Sequence, residues 1–160
     1  MRRDDFERLY EEHAQPLFGF LAYRTGDPGL AEDLLADTFE RALRARKRFD
    51  RRKASEKTWL YTIALNLLRD SARRSKTEAR ALERIPHERT REPDGLSAVE
   101  HRDEIQRVLH VLSEAEREVI ALRFGGDLTV PEIAKLLKQP LARIEGRVYR
   151  ALRKLRDELA

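Results

Sequence analysis

Near the C-terminus the chain reads "KQPLARIEGRVYRALRKLR", residues 138 to 156, with Arg143, Arg147, Arg150 and Lys154 at intervals of four, three and four. On a helix these fall on one face. A cationic face of this kind neutralises phosphates, and arginine's planar fork can also bond bidentately to guanine. Ile144, Val148, Leu152 and Leu155 form a second, apolar stripe suited to a core. Glu145 and Gly146 interrupt the start of the basic face. A carboxylate can accept a hydrogen bond from cytosine N4. A glycine costs about 1 kcal/mol of helix stability but lets a backbone come close. A second polar and basic set precedes it: Lys53, Ser55 and Lys57 in the loop 47–57, then Asn66, Arg69, Arg73 and Arg74.

Covalent chemistry is poorly provided for. The chain has no cysteine, which removes disulfides, thiolate metal sites and cysteine nucleophiles. His13, His87, His101 and His110 are scattered, with no nucleophile or ligand cluster around any of them, and suit surface or helix-packing roles. Asp33 and Asp37 are spaced like metal ligands on a helix, but no histidine follows at ligand spacing. The expectation is a non-enzymatic protein without cofactor or metal.

Charge is segregated along the 160 residues. Residues 1–40 carry a net −6, residues 41–76 a net +10, residues 97–134 a net −4 and residues 135–156 a net +7. Two basic segments suggest two patches for a polyanion, and the acidic segments can face a basic protein surface. No apolar run reaches membrane-spanning length, and the start "MRRDDFERLYEEH" lacks the apolar stretch of a secretory signal, which points to a cytoplasmic protein without membrane insertion.

The elements that must position these residues are all helices. Phe6, Leu9, Tyr10, Leu17, Phe18 and Leu21 mark a helix over 4–24, which Pro16 is expected to kink or divide. "TGDPG" is a turn, with Asp27 as N-cap and Pro28 opening a helix over 28–48 that buries Leu30, Leu34, Leu35, Phe39 and Leu43. Ser55 caps a helix over 56–75 carrying Trp59, Leu60, Ile63, Ala64, Leu67 and Leu68. Residues 76–96, rich in charge with two prolines and a glycine, read as a linker, with helical propensity in "TEARALERI", that leaves the two halves free to move unless they pack on each other to hide their DNA surfaces. Helices follow over 97–112, 114–124, 130–138 and 140–158, with capping boxes at Ser113–Glu116 and Thr129–Glu132. The fold class is all-α: two small helical domains, 1–75 and 97–160. In the second, "TVPEIAKLL", "KQP" and the basic helix make a helix-turn-helix, with Ile133, Ala134 and Leu137 turned inward.

These segments resemble a known family. "LSEAEREVIALRFGGDLTVPEIAKLL…RVYRALRKLR" looks like region 4, the promoter-binding C-terminal domain, of bacterial sigma factors. "FERLYEEH", "AEDLLADTFERAL" and "TWLYTIALNLLRDSARR" resemble region 2 of the extracytoplasmic-function (ECF) group of the sigma-70 family. The resemblance implies a sigma factor that binds core RNA polymerase and directs promoter recognition and transcription initiation, with promoter DNA and an anti-sigma factor as further partners. The free protein is then expected to be a monomer. Asp33, Asp37 and Thr38 would contact the polymerase clamp, with Leu34 and Phe39 in the core. Lys53, Ser55 and Lys57 would cradle a flipped base of the minus-ten element, and Asn66, Arg69, Arg73 and Arg74 would follow the single strand. Arg143, Glu145, Gly146, Arg147, Arg150 and Lys154 would face the minus-thirty-five element.

The chain departs from the family pattern at several positions. Ala36 stands where glutamine is common, Leu65 where a basic residue often precedes Asn66, and "KQP" where relatives tend to have "GIP". Arg143, Glu145 and Gly146 replace a small or hydroxyl residue, a lysine and a serine. Trp59 is assigned to the core, leaving Tyr61 as the more exposed candidate for base stacking. A stand-alone helix-turn-helix regulator is the alternative reading, and it leaves the N-terminal half without a purpose.

Overall fold

The computed structural model describes residues 1–81 and 107–160, and all regular structure among them is helical. Helix α1 spans Arg3–Thr25 and α2 spans Pro28–Ala45. Between them Gly26 adopts the left-handed conformation that closes α1, and the Asp27 carboxylate accepts the Gly29 and Leu30 amides at 3.1 and 3.2 Å. A 3-10 turn at Arg46–Arg48 leads to a basic loop and then to α3, Glu56–Ala81. In the second unit α4 covers Glu114–Ile120, followed by a π-helical turn at Ala121–Gly125. The helix-turn-helix is α5, Val130–Leu137, and α6, Leu141–Leu159.

Of the two outcomes expected at Pro16, division does not occur: helix α1 runs unbroken through it. The carbonyl four residues earlier, which a proline cannot serve, belongs to the exposed Glu12, where water can satisfy it. Leu9 on one side and Leu17, Phe20 and Leu21 on the other anchor both halves in the core. Helix α3 also continues past 75 to Ala81, taking in the first residues of the expected linker. The rest of that linker, and most of the helix expected over 97–112, lie outside the described residues.

Free movement of the two halves is expected unless they pack on each other, and here they do. Leu17, Phe20, Leu60, Tyr61 and Leu65 from the first unit share one buried cluster with Val119, Leu122, Leu128, Ile133 and Leu136 from the second. Burying each large apolar side chain stabilises the fold by roughly 1.5–3 kcal/mol, so this seam is a core and not a touching surface. The glycines of "RFGGD" make it possible. A Cβ on Gly19 of α1 would lie 2.8 Å from the Gly125 carbonyl oxygen, and one on Gly125 would lie 2.8 Å from the Tyr23 ring. Backbone meets backbone at this point because neither residue has a side chain.

Candidate polymerase and nucleic-acid interface

The helix-turn-helix is built from local chemistry. The Thr129 hydroxyl accepts the Glu132 amide at 3.3 Å while the Glu132 carboxylate accepts the Thr129 amide at 2.8 Å, starting α5. Helix α5 ends at Lys138, which holds the left-handed conformation at φ 55° and ψ 46°. Pro140 then opens α6, and the Arg143 amide bonds back to its carbonyl at 3.1 Å. Buried on α6 are Ile144, Val148 and Ala151, with Leu155 half-buried, while Leu152 is exposed. The apolar stripe therefore passes through Ala151 instead of Leu152. On α5 it is Leu136, with Ile133 and Ala134, that is buried, and Leu137 is only partly covered.

The basic stripe of α6 divides into free and engaged members. Arg143, Glu145 and Arg150 are exposed, and none makes a side-chain hydrogen bond or ion pair among the described residues. Arg147 donates to the Gln139 amide oxygen at 3.0 Å, tying the reading helix to the turn before it. Gly146 has a use here: the Arg150 guanidinium folds over it, 3.1 Å from where a Cβ would stand. The Lys154 ammonium donates at 2.7 Å to Glu116, a carboxylate buried on α4. Burial pushes the Glu116 carboxyl up, but hydrogen bonds from Lys154 and from Ser113 outweigh it and hold it below its ordinary value. Lys154 thus staples α6 to α4 while its side chain stays about half exposed.

The second set surrounds the start of α3. Asp50 organises the loop, accepting the Arg52 amide on its side chain at 2.9 Å and the Lys53 amide on its carbonyl at 3.0 Å. Lys53 and Ser55 are exposed, and the Ser55 hydroxyl caps α3 by accepting the Thr58 amide at 3.1 Å. Trp59 packs against Phe49, with ring centroids 5.0 Å apart, at the margin of the core. Asn66, Arg73 and Arg74 are exposed along α3, with Arg73 paired to Asp70 on its own helix.

Two residues of this set, and Tyr61 between them, point at the other unit. The Lys57 ammonium donates to the Asp127 carbonyl at 3.1 Å and pairs with Glu132 at 3.3 Å. Arg69 pairs with Glu118 at 3.6 Å. Tyr61, expected to be exposed, is fully buried: its hydroxyl donates at 2.8 Å to the Gly126 carbonyl and its ring lies against Phe20. It is a seam residue and not a stacking platform, because its phenol satisfies a carbonyl that the seam removes from water.

On α2, Asp33 and Asp37 are exposed one turn apart, as a contact surface requires. Thr38 is buried, and its hydroxyl donates to the Leu34 carbonyl at 2.6 Å. Its expected place on the polymerase face is corrected accordingly. Leu34 and Phe39 are buried beside it.

The residues that sequence reading missed are Gly19, Leu65, Glu118, Gly125, Gly126 and Asp127. Leu65 was noted only as a departure from a basic residue; here it is buried, in a hollow that Leu136, Leu137, Lys138 and Gln139 also line. A double glycine followed by an aspartate was the available signal for a backbone approached by other backbone.

Comparison with known proteins turns these surfaces into a family. The Sigma-70 region 2 model matches residues 9–78 and the Sigma-70 region 4 model matches residues 108–157. The ECF RNA polymerase sigma factor SigX of Bacillus subtilis is 32% identical over 98% of this chain and 84% of SigX. This chain is an ECF sigma factor of the sigma-70 family. The ECF RNA polymerase sigma factor BldN of Streptomyces coelicolor is also 32% identical, over 95% of this chain, which spans 59% of the length of BldN. The fold of the sigma factor RpoE of Bartonella quintana, solved with the anti-sigma factor NepR, superposes on 97% of this chain with a TM-score of 0.77 at 24% identity. As a member of this family, the sigma factor directs RNA polymerase to promoters and is not an enzyme. A stand-alone regulator would not carry region 2. Among the described residues no helix is long and apolar enough to cross a membrane.

Proposed function

We propose that this sigma factor divides promoter recognition among three surfaces. Asp33 and Asp37 on α2 meet a basic surface of core RNA polymerase, their exposure and one-turn spacing supporting the reading. Lys53, Ser55, Lys57, Asn66, Arg69, Arg73 and Arg74 serve the melted minus-ten strand, whose phosphates need cations and whose bases need polar partners. Arg143, Glu145, Gly146, Arg147 and Arg150 serve the minus-thirty-five duplex, with Arg143 and Glu145 at the tip where a recognition helix meets base edges. Arg147, Arg150 and the backbone over Gly146 supply the phosphate side. Region 2 occupies residues 1–75 and region 4 residues 97–160, with a linker over 76–96; family matches at 9–78 and 108–157 support this division.

The observation that carries this reading is the pairing of two chemically different cationic surfaces, one at each end of the matched regions. The protein works in the cytoplasm as a monomer until polymerase captures it. An anti-sigma factor restrains it, as the complex of the Bartonella quintana RpoE with NepR illustrates for that protein.

The decisive experiment mixes purified sigma factor with core polymerase and genomic promoter fragments. Expected are a stable holoenzyme, sigma-dependent transcripts from a subset of fragments, and DNA affinity that falls steeply with salt as condensed counterions are released. A protein that neither binds core enzyme nor supports any transcript would overturn the reading.

A further inference from the structure

We infer that the cavity between the end of α1 and the π-helical turn is a binding site for a small amphipathic carboxylate, a ring or short chain carrying one anionic head. The cavity has a volume of about 240 Å³, and Tyr23, Ile120, Ala121 and Phe124 give it apolar walls. Arg24 and Arg117 also line it, and among the described residues no acid does.

The two arginines carry the argument. The Nε atom of each is out of solvent and has no hydrogen-bond partner, and neither guanidinium forms an ion pair among the described residues. A buried donor left unpaired costs its full desolvation, and more when the group is charged. Two guanidinium groups on one cavity also repel each other. Glu118, next to Arg117 in the chain, is already paired with Arg69 at 3.6 Å. Both arginines stand in the last turn of an α-helix, where a cation suits the helix dipole. That interaction is equally available to an arginine in water, so it does not account for the buried Nε atoms. A carboxylate does, because the guanidinium offers its Nε–H and a neighbouring N–H as a fork for two parallel bonds.

The apolar walls say what carries the carboxylate. The Gly126 amide bonds to the Ala121 carbonyl, five residues back, at 2.8 Å. Such π-helical turns are rare and are frequent at functional sites. Here the turn leaves Phe124 55% exposed, with the Arg123 guanidinium 5.3 Å from its ring centroid. Tyr23 is 45% exposed, and its ring lies so close to Gly125 that a Cβ there would stand 2.8 Å from it. Two half-exposed rings beside two unpaired cations suit an acid with an apolar body. A cavity of about 150 Å³ accepts benzene, so this one suits roughly ten non-hydrogen atoms. None of its residues is assigned to polymerase or promoter, so its failure would leave the proposed function standing.

The test titrates the full chain in a calorimeter with 3-phenylpropanoate, octanoate and indole-3-acetate, each compared with its uncharged amide. At least one acid is expected to bind one-to-one and to raise the midpoint of thermal unfolding, as a ligand of the native state must. Its amide should bind roughly tenfold weaker or worse, the loss of a charge-assisted hydrogen bond. Arg24→Gln and Arg117→Gln should each lose roughly tenfold in affinity for the acid. Without ligand, both variants should melt no lower than the parent, because each gives up an unpaired buried charge. Phe124→Ala, at a half-exposed position, should weaken the acid while leaving the unliganded midpoint nearly unchanged. Failure of all three acids to bind overturns the site, as does equal affinity for acid and amide. Binding that survives in the double variant Arg24→Gln, Arg117→Gln overturns it too. A glutamine variant that melts well below the parent would show that the arginines serve the fold, and the site would be given up.

Discussion

The basic faces of α6 and α3 carry the same kind of charge and are held in opposite ways. On α6, Arg143 and Arg150 stand in solvent, while on α3, Lys57 and Arg69 end on carboxylates of the other unit. The difference comes from where each face lies relative to the acidic segment 97–134, which supplies Glu118 and Glu132. A cation paired at 3–4 Å contributes little to the field that attracts a polyanion, whereas an unpaired exposed one contributes fully. A basic run in a sequence is thus only half a statement about DNA binding. The other half is whether the same chain brings an acidic surface to meet it.

Lys154 is where this contrast is most easily broken, since it lies on α6 yet behaves like the cations of α3. Glu116→Ala removes a capping bond to the Ser113 amide and a charge-assisted bond from Lys154. The expected cost is about 2–3 kcal/mol of stability, summing a lost cap and a hydrogen bond between ions. Urea denaturation followed by circular dichroism measures it. A variant as stable as the parent would return Lys154 to the solvent-facing set. The lowered carboxyl of Glu116 gives the same result a pH signature. Its contribution is present above the ordinary value of 4.5 and is lost as pH falls through the depressed one.

Next in size is the division of labour on α6. Arg143→Ala should alter preference among minus-thirty-five sequences, with affinity for the preferred duplex falling about tenfold, as loss of a base contact worth 1–3 kcal/mol implies. Arg147→Ala should weaken all duplexes alike and reduce the salt slope by about one, since its bond to Gln139 holds it back toward the turn. Lys57→Ala should leave duplex affinity unchanged while altering single-strand binding. Equal losses on every duplex for both arginine variants, or a duplex loss on removing Lys57, would erase the distinction between the two faces.

Much of the architecture was legible before any coordinates, and the reasons are physical. Helix boundaries at Asp27, Ser113 and Thr129 are set by side chains that bond to amides two or three residues away, so the local sequence contains both partners. The seam was not legible for the opposite reason. Tyr61 and Gly126 are 65 residues apart, and Lys57 and Glu132 are 75 apart. Nothing in the spacing of α3 says that its outer face is covered. Thr38 was misplaced because a threonine next to two exposed aspartates looks like a third surface contact, whereas its hydroxyl can satisfy itself on Leu34 within the helix and then be buried. Leu152 was misplaced by one position on a helix whose apolar stripe is narrow enough for Ala151 to fill.

Lys138 offers a prediction of about 1 kcal/mol that separates scaffold from reader. A lysine in the left-handed region brings its Cβ against the backbone, a strain that glycine lacks. Lys138→Gly should therefore stabilise region 4 by about that amount, since the turn conformation is already the one glycine favours. The midpoint of thermal unfolding should rise. Because Lys138 also lines the hollow shared with Asn66 and Arg69, losing its charge beside Arg69 should favour the packing of the two units slightly. A fall in stability would show that the lysine side chain contributes more than its backbone costs.

The smallest expected effect is a pH dependence of stability, and it acts on the α3 face alone. Burial lowers the His13 imidazole below its ordinary 6.5; Lys57 lowers it further, while Glu12, Glu56 and Glu132 oppose the shift without reversing it. A depressed histidine contributes stability above the unfolded value, and that contribution is lost as pH falls below 6.5. Stability to unfolding should therefore begin to fall on mild acidification, before Glu132 titrates, and His13→Gln should remove this first step. At the alkaline end Tyr61 is raised, first by burial and then by Asp127 and Glu132, so stability should fall as pH rises past 10, where an exposed tyrosine would ionise. Tyr61→Phe should abolish that second limb while leaving the acid limb in place. The duplex-binding face of α6 should show neither limb at constant salt, because neither His13 nor Tyr61 lies on it. If duplex affinity followed the same two limbs, the faces would be coupled, and the contrast between a free reader and an engaged one would have to be given up.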